Sequence, residues 1–254
     1  MDAIIKTRGL MKEYGSRGMK FTALNGIDIE VDKGEFLAVM GPSGSGKTTL
    51  LNLISTIDRP SAGKIFFEGL DLGTVKNREL ARFRRDKVGF VFQDFNLLDN
   101  MSVMDNIALP LALNRVEYRD IIRKVQELSA FFGIEQQLSK YPYQLSGGQK
   151  QRAAAARALI TSPSVIFADE PTGALDSKSS SELLGCFKNL NTKYGTTIIM
   201  VTHDAFAASY CDRIMFLKDG AIHARIDKSG GRKELFHKIL DMQGAMGGIS
   251  NELF

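Results

Sequence analysis

The sequence predicts an α/β fold: a parallel sheet of the P-loop type, preceded by an antiparallel β-layer and interrupted by a helical segment. After residue 41, apolar segments of strand length alternate with helical patterns, as they do in parallel sheets. Before residue 41, short apolar runs alternate with turns such as 32–35, which favours antiparallel strands. Residues from about 94 to 160 are predicted to be mostly helical, and they form the interrupting segment.

A phosphate-binding loop is predicted at 41–48, where Gly-Pro-Ser-Gly-Ser-Gly-Lys-Thr fits G-x-x-x-x-G-K-[ST] at every fixed position. The apolar run before it predicts a buried strand, and 49–54 predict a helix. N–H groups at such a helix start attract anions. Lys47 would place its charge at the β- and γ-phosphates, and Thr48 would offer a hydroxyl to Mg²⁺. The predicted nucleotide-binding residues here are Gly41, Ser43, Gly44, Ser45, Gly46, Lys47, Thr48 and Thr49. An accidental Gly/Ser-rich turn is the alternative.

Two carboxylates end the apolar strand predicted at 165–170. Asp169 is placed to hold Mg²⁺, directly or through water. Glu170 leaves the strand end in a different direction, and it is the best candidate for a general base that polarises the attacking water. The alternative is a strand end that is acidic by chance.

A second candidate anion site lies about a hundred residues after the phosphate loop, at 145–149, and is called the signature segment below. Its sequence, Leu-Ser-Gly-Gly-Gln, precedes an Ala-rich helix predicted at 150–160. A serine and open N–H groups at a helix N-terminus favour an anion. One chain with two phosphate-binding ends suggests two chains facing each other head to tail. The alternative is that the segment only caps its helix.

With both motifs in this order, the chain resembles the ATP-binding cassette family along nearly its whole length. The resemblance implies a RecA-like ATPase core within a domain spanning 1–222, with an inserted helical subdomain at about 94–160. A C-terminal extension over 223–254 would contain one amphipathic helix. Apolar residues at helical spacing predict that helix: Leu235, Phe236, Ile239, Leu240 and Met242. Packing on the ATPase core and a self-association or regulatory role are the alternatives for it.

The resemblance also implies roles for residues outside the two motifs. Gln93, at the end of another apolar strand, would reach Mg²⁺ and the attacking water, and His203 would contact the γ-phosphate. Tyr14 would stack under adenine, a contact worth about 1–3 kcal/mol, and a surface tyrosine in a turn is the alternative. The predicted catalytic residues are therefore Glu170, His203 and Gln93, and the predicted metal ligands are Thr48, Gln93 and Asp169.

In a head-to-tail dimer, the resemblance implies that the signature segment of one subunit caps the γ-phosphate bound by Lys47 of the other. The predicted contacts of that segment are Ser146, Gly147, Gly148 and Gln149. Asp176 lies in an adjoining loop that would cross the interface. Because every expected group is present in each half-site, a homodimer would have two sites competent for hydrolysis.

Composition limits the class of protein. With 254 residues, 44% of them hydrophobic, the chain can bury a sizeable core around one ATP-binding unit. No run approaches the roughly 18 apolar residues that a membrane-spanning helix needs, and the first residues lack a signal-peptide pattern. Two cysteines are too few for a disulfide scaffold and fit a reducing cytoplasm.

The net charge of +4 is local and does not indicate a nucleic-acid partner. The stretch 76–87 contains six Lys or Arg and two acidic residues, an excess equal to that of the whole chain. A solvated helix face is the simpler interpretation of this stretch. A face near anionic lipid headgroups or an acidic partner loop is the alternative.

The apolar residues after Gln93 allow two interpretations. Phe95, Leu97, Leu98 and Met101 form a cluster that is either core or part of a groove. The resemblance places the docking of a short helix from a transmembrane subunit in this region.

The family includes soluble members as well as transporter subunits. DNA-repair and chromosome-maintenance relatives insert a long coiled coil between the two motifs, for which this chain has no room, and translation-factor relatives carry two cassettes. A soluble ATPase is therefore the weaker alternative. The resemblance implies ATP and Mg²⁺ as ligands, a permease partner, a second copy of the chain, no nucleic acid, and a position at the cytoplasmic face of the membrane.

Three segments, 92–98, 105–111 and 169–178, resemble the group of macrolide exporters, lipoprotein-releasing systems and peptide-antibiotic resistance transporters. The tail from 218 to 248 most resembles the ATP-binding subunits of bacitracin-type resistance transporters. That resemblance implies a permease with a large extracellular domain and, through it, a membrane sensor kinase. Lipoprotein release and macrolide export are the alternatives.

Overall fold

The computed structural model describes residues 3–15 and 20–246, so the last eight residues of the predicted C-terminal extension lie outside the described part. The chain divides into two compact units. Unit 1 comprises Met1–Lys76 and Ile199–Phe254, and unit 2 comprises Asn77–Ile198.

The described residues form eleven β-strands and eight α-helices. The strands are β1 (Ala3–Tyr14), β2 (Phe21–Ile27), β3 (Glu30–Asp32), β4 (Phe36–Met40), β5 (Ala62–Phe67), β6 (Leu70–Asp71), β7 (Val88–Val91), β8 (Val165–Asp169), β9 (Thr197–Val201), β10 (Arg213–Lys218) and β11 (Ala221–Asp227). The α-helices are α1 (Lys47–Ile54), α2 (Asn77–Lys87), α3 (Val103–Leu113), α4 (Tyr118–Phe131), α5 (Gly147–Leu159), α6 (Ser177–Tyr194), α7 (Ala205–Ala208) and α8 (Arg232–Met246).

Unit 1 contains the predicted antiparallel layer. Its strands follow the order β2-β1-β5-β6, and β3 also pairs with β1. β1 pairs antiparallel with β5 in a register that sets Ile5 opposite Phe67, and both side chains are buried. This pair of strands therefore contributes side chains to the core of unit 1.

Unit 1 also contains strands in the order β11-β10-β4-β9. β10 runs parallel to β4, and every residue of β4 is buried, as expected for a strand covered on both faces. The Thr202 N–H donates to the Val39 carbonyl at 3.1 Å, so the ends of β9 and β4 lie side by side. The two loops that follow these strands, one of which is the phosphate loop, therefore start from the same edge.

Unit 2 contains the parallel pair β7 and β8, the start of β9 next to β8, and helices α2 to α6. Helix α5 buries Ala153 to Ala156, whose small side chains let neighbouring elements approach closely. A Cβ at Gly89 of β7 would clash with the Ala158 carbonyl oxygen of α5. The helix that follows the signature segment is thus packed tightly on β7.

The structure bears on three expectations from the sequence, which concern the basic stretch, the C-terminal helix and membrane-spanning helices. Leu80 is the only buried residue of α2, which fits a solvated basic helix. In α8, Leu235 and Ile239 are fully buried but Leu240 is 42% exposed, so the apolar face is narrower than the sequence pattern predicted. Within the described ranges, no helix combines the length and apolar character that crossing a bilayer requires.

Candidate active site

The phosphate loop of unit 1 leaves no space for side chains at two of its glycines. Gly46 caps α1 in the left-handed conformation, with φ 98°, and a Cβ there would lie 2.5 Å from the Ala23 carbonyl oxygen. A Cβ at Gly41 would clash with the carbonyl oxygen of Leu217 in β10. Both positions therefore need glycine because backbone passes directly behind the loop.

The exposed side of the loop contains Ser43, Gly44 and Thr48, whereas Ser45 is buried. The Ser45 hydroxyl has no hydrogen-bond partner among the described residues, although its backbone is held by Gly220, whose N–H donates to the Ser45 carbonyl at 3.3 Å. A buried hydroxyl without a partner costs free energy, so it fits a ligand-binding loop better than a plain turn.

Lys47 folds back over this loop. Its ammonium donates to the carbonyl oxygens of Gly41 and Pro42 at 2.9 and 2.8 Å. The first turn of α1 contains no acidic residue that would neutralise the positive end of the helix. The positive end of α1 therefore faces the loop without a neutralising acidic side chain in its first turn.

His203 lies in the loop after β9, beside the phosphate loop. The next residue, Asp204, caps α7 by accepting a hydrogen bond from the Phe206 N–H at 2.8 Å. A cavity of about 380 Å³ joins the two loops and reaches α8; its lining residues are Gly41, Pro42, Ser43, His203, Phe216, Gln243 and Met246. The structure thus brings together the predicted phosphate loop and His203, and it adds two residues of α8.

Tyr14 ends β1 rather than lying in a turn, and its side chain is held in place. Its hydroxyl donates to Asp58 Oδ2 at 3.0 Å, and Lys12 Nζ lies 4.8 Å from the ring centroid. Lys12 also donates to Asp58 Oδ1 at 2.8 Å. Burial raises the pKa of Asp58, but hydrogen bonds from Lys12, the Arg59 N–H and Tyr14 outweigh it, so the pKa lies below its usual range. Sequence reasoning had not found this support of Tyr14.

Unit 2 brings Gln93 to the turn that follows β8. Asp169 ends that strand, and Glu170 has φ 46°, a left-handed conformation that is unusual outside glycine. The turn closes with a hydrogen bond from the Gly173 N–H to the Glu170 carbonyl at 3.0 Å. A Cβ at Gly173 would lie 3.0 Å from Gln93 Nε2, so the Gln93 side chain lies against this turn.

The signature segment is a capped helix start in contact with the Asp176 loop. Ser146 Oγ accepts from the Gln149 N–H at 3.3 Å, and the Gln149 side chain accepts from the Ser146 N–H at 3.0 Å, which together form a capping box. Because Ser146 Oγ only accepts among the residues that the structure describes, its own proton can be donated to an anion. A Cβ at Gly148 would lie 2.5 Å from Ser179 Oγ, so this position also needs glycine.

Asp176 caps α6 with its carboxylate. It accepts from the Ser179 N–H at 2.9 Å and from the Ser179 hydroxyl at 2.8 Å. These hydrogen bonds from Ser179 hold the pKa of Asp176 below its usual range. Within one chain, the predicted interface residue therefore has a capping role.

Two residues of α5 connect it to the Gln93 region, and sequence reasoning missed both. The Gln151 amide is fully buried and donates to the Phe92 and Pro171 carbonyls at 3.0 and 2.7 Å. Arg157 donates to the carbonyls of Phe95 and Asn96, whose φ values are 60° and 50°, and burial lowers the pKa of its guanidinium. Polar residues in an otherwise Ala-rich helix were the signal that could have found them.

The residues of the apolar cluster after Gln93 are only partly covered. None of Phe95, Leu97, Leu98 and Met101 is buried, and Leu98 is 43% exposed. In the described residues, this cluster does not form core.

The family assignment comes from comparison with known proteins. Residues 24–173 match the family model described as ABC transporter. The chain belongs to the ABC transporter family. This ABC ATPase subunit is 50% identical to the bacitracin export ATP-binding protein BceA of Halalkalibacterium halodurans over 98% of its own length and 99% of the relative. It is also 41% identical to the lipoprotein-releasing system ATP-binding protein LolD of Bacteroides thetaiotaomicron, over 86% of this chain and 99% of that one.

Solved structures confirm the predicted fold class of the ABC ATPase. The ATP-binding cassette MJ0796, determined as a dimer in a post-hydrolysis state with ADP and Pi, matches with a TM-score of 0.83 and 37% identity. The match covers 89% of this chain and 99% of that one. The family, the fold and ATPase activity are therefore confirmed, whereas the roles of individual site residues stay predictions.

Proposed function

We propose that this ABC ATPase powers a membrane transporter that confers resistance to, and takes part in sensing of, peptide antibiotics such as bacitracin. The observation that supports this substrate class is the 50% identity with a bacitracin export subunit over nearly the full length of both chains. The match leaves no large segment of either protein without a counterpart.

In the proposed reaction, ATP binds to the phosphate loop with its adenine on Tyr14. Lys47 moves from the loop carbonyls to the β- and γ-phosphates, where it stabilises the charge of the transferred group. His203 contacts the γ-phosphate. Glu170 accepts a proton from the attacking water, which Gln93 orients.

The residues present fit a magnesium ion bound together with the nucleotide. Magnesium usually takes one or two protein ligands plus phosphate oxygens, and it neutralises phosphate charge in this class of reaction. Thr48, Gln93 and Asp169 would hold it.

Two subunits would close head to tail over two nucleotides. The capped start of α5 supports this proposal, since Ser146 keeps a hydroxyl proton for a phosphate oxygen while its helix end is satisfied. The dimeric form of the cassette MJ0796 is a precedent in a protein with the same fold. Since both half-sites carry the same residues, both would hydrolyse ATP.

The permease would hold the subunit at the cytoplasmic face of the membrane, and a sensor kinase would join through the permease. The exposed apolar cluster of Phe95, Leu97, Leu98 and Met101 supports a docking surface for the permease beside Gln93. Arg157 donates hydrogen bonds to the backbone carbonyls of Phe95 and Asn96. A displacement of the cluster caused by permease binding would therefore be transmitted to α5, the helix that begins at the signature segment.

Lipoprotein release is the second candidate function, favoured by the 41% identity with LolD. The deciding experiment is affinity purification of the tagged full-length chain from detergent-solubilised host membranes, with mass spectrometry of its partners. The Lys47→Ala variant serves as a matched bait. A permease with a large extracellular domain, and ATP hydrolysis that rises with bacitracin in the wild type but not in this variant, would support the proposal. A lipoprotein-release permease would overturn the substrate, and recovery of no membrane protein would overturn the transport role.

A further inference from the structure

Helix α8 contacts the segment that follows His203. At its first residue, the Arg232 guanidinium lies 4.4 Å from the ring centroid of Tyr210 and 5.5 Å from that of Phe206. Leu235 and Ile239, one turn apart on the same face, are fully buried. Helix α8 packs against α7, and its N-terminal half contributes one cation over two aromatic rings and two buried apolar side chains.

The other end of α8 reaches the His203 backbone. Gln243 Nε2 donates to the His203 carbonyl oxygen at 2.9 Å. A carbonyl oxygen only accepts, so the amide nitrogen of Gln243 must face it. Lys218 Nζ, at the end of β10, lies 3.4 Å from the Met246 carbonyl oxygen and holds the last turn of the helix.

These contacts bracket the segment from His203 to Tyr210 at both of its ends. The His203 carbonyl is held from α8, which restricts ψ of His203 and so limits the directions in which its side chain can leave the backbone. Gln243 and Met246 also line the cavity that contains Gly41 and Ser43 of the phosphate loop. Helix α8 therefore forms part of the wall of the cavity beside the predicted phosphate loop.

We propose that Gln243 is a positioning residue for His203, and that α8 is a built-in part of the ATPase site. Gln243 holds the His203 peptide so that the imidazole is aligned before the γ-phosphate arrives. Leu235, Ile239 and Arg232 supply the packing, and Gln243 supplies the alignment. This inference rests on the proposed function, in which His203 contacts the γ-phosphate.

The test compares three variants of the full-length chain in the purified transporter. Gln243→Glu keeps the shape but replaces the donor with an ionised acceptor that repels the His203 carbonyl. Gln243→Lys restores a donor at similar reach. Asp241→Asn changes an exposed side chain two residues away and is the matched control.

We expect Gln243→Glu to lower kcat for ATP hydrolysis about 3- to 10-fold, which corresponds to the loss of one hydrogen bond, with KM for ATP within about twofold. Gln243→Lys should recover most of kcat, and Asp241→Asn should match the wild type. Hydrogen exchange in the peptide covering 202–206 should become faster in Gln243→Glu only.

An unchanged kcat and unchanged exchange in Gln243→Glu would overturn the inference, and so would an equal loss in Asp241→Asn. A fall in kcat that follows a lowered Tm and is not recovered by Gln243→Lys would also overturn it, since that result indicates packing alone. Failure of the proposed function gives a different pattern. In that case Glu170→Gln leaves hydrolysis intact, while exchange at 202–206 still reports whether Gln243 holds the segment.

Discussion

The buried amide of Gln151 donates a hydrogen bond to the carbonyl oxygen of Pro171 at 2.7 Å, directly after Glu170. The same amide donates to the Phe92 carbonyl at 3.0 Å, one residue before Gln93. One side chain of the helix that begins at the signature segment therefore holds the two turns that present the predicted general base and the predicted water-orienting residue.

Replacing Gln151 should damage both stability and turnover. Gln151→Ala leaves the buried Pro171 carbonyl oxygen without this donor and removes one of the two donors to the Phe92 carbonyl, which we expect to lower the free energy of unfolding by roughly 1–3 kcal/mol. Urea denaturation of the purified chain measures this loss. Gln126→Ala, at an exposed position of α4, is the control and should change stability by less than about 0.5 kcal/mol. Equal urea midpoints for the two variants would show that the hydrogen bonds of Gln151 do not stabilise the folded chain.

Glu170→Gln should bind ATP normally but lose turnover by a factor of about 10² to 10⁴, the usual contribution of a general base. The amide keeps the size of the side chain, so the left-handed turn at this position is preserved. Phosphate release gives the rate and calorimetry gives the affinity. Glu135→Gln, on an exposed turn of the same unit, should behave as the wild type. A near-normal rate for Glu170→Gln would remove this residue from the role.

The stability that the Asp58 carboxylate gains from its hydrogen bonds with Lys12 and Tyr14 should depend on pH. The pKa of Asp58 is lowered in the folded chain from an ordinary value of 3.8, so its carboxylate contributes stability above pH 3.8. That contribution is lost as the pH falls through the folded pKa, because protonation releases Lys12 and Tyr14. Asp58→Asn should therefore be less stable than the wild type at pH 6, and the difference should shrink towards pH 3.

Thermal unfolding between pH 6 and pH 3 measures this convergence. Asp227→Asn, at an exposed position in β11, should show no such convergence. If the Tm values of the wild type and Asp58→Asn fell in parallel with pH, the ionised form of Asp58 would not stabilise the folded chain.

Local patterns in the sequence were sufficient to predict the phosphate loop, the strand ends and the capped helix, because each depends on residues within a few positions of one another. Contacts between distant segments were not predicted. Gln151 lies 59 residues from Phe92, and Gln243 lies 40 residues from His203. Nothing in either residue's neighbours specifies such a partner, because tertiary packing alone brings them together. Helical periodicity also placed Leu240 on the apolar face of α8. In the structure, Leu235 and Ile239 of that face are fully buried, whereas Leu240 is exposed.

The shared-site model makes a prediction about mixed dimers. Ser146→Asp keeps a good helix cap but sets a negative charge against the γ-phosphate of the opposite subunit. Ser146→Asn, also a good cap but neutral, is the matched control and should retain activity. Lys47→Ala removes the charge that holds the nucleotide in its own subunit. We expect the Ser146→Asp and Lys47→Ala homodimers both to be inactive.

A mixed dimer of Ser146→Asp with Lys47→Ala, isolated through two different tags, has both defects in one composite site and none in the other. If each site takes Lys47 from one subunit and Ser146 from its partner, hydrolysis should return to at most about half of the wild-type rate. If each site were built within one chain, both subunits would be defective and the mixed dimer would stay inactive. Full wild-type activity would contradict both arrangements, because at least one site must be lost in either.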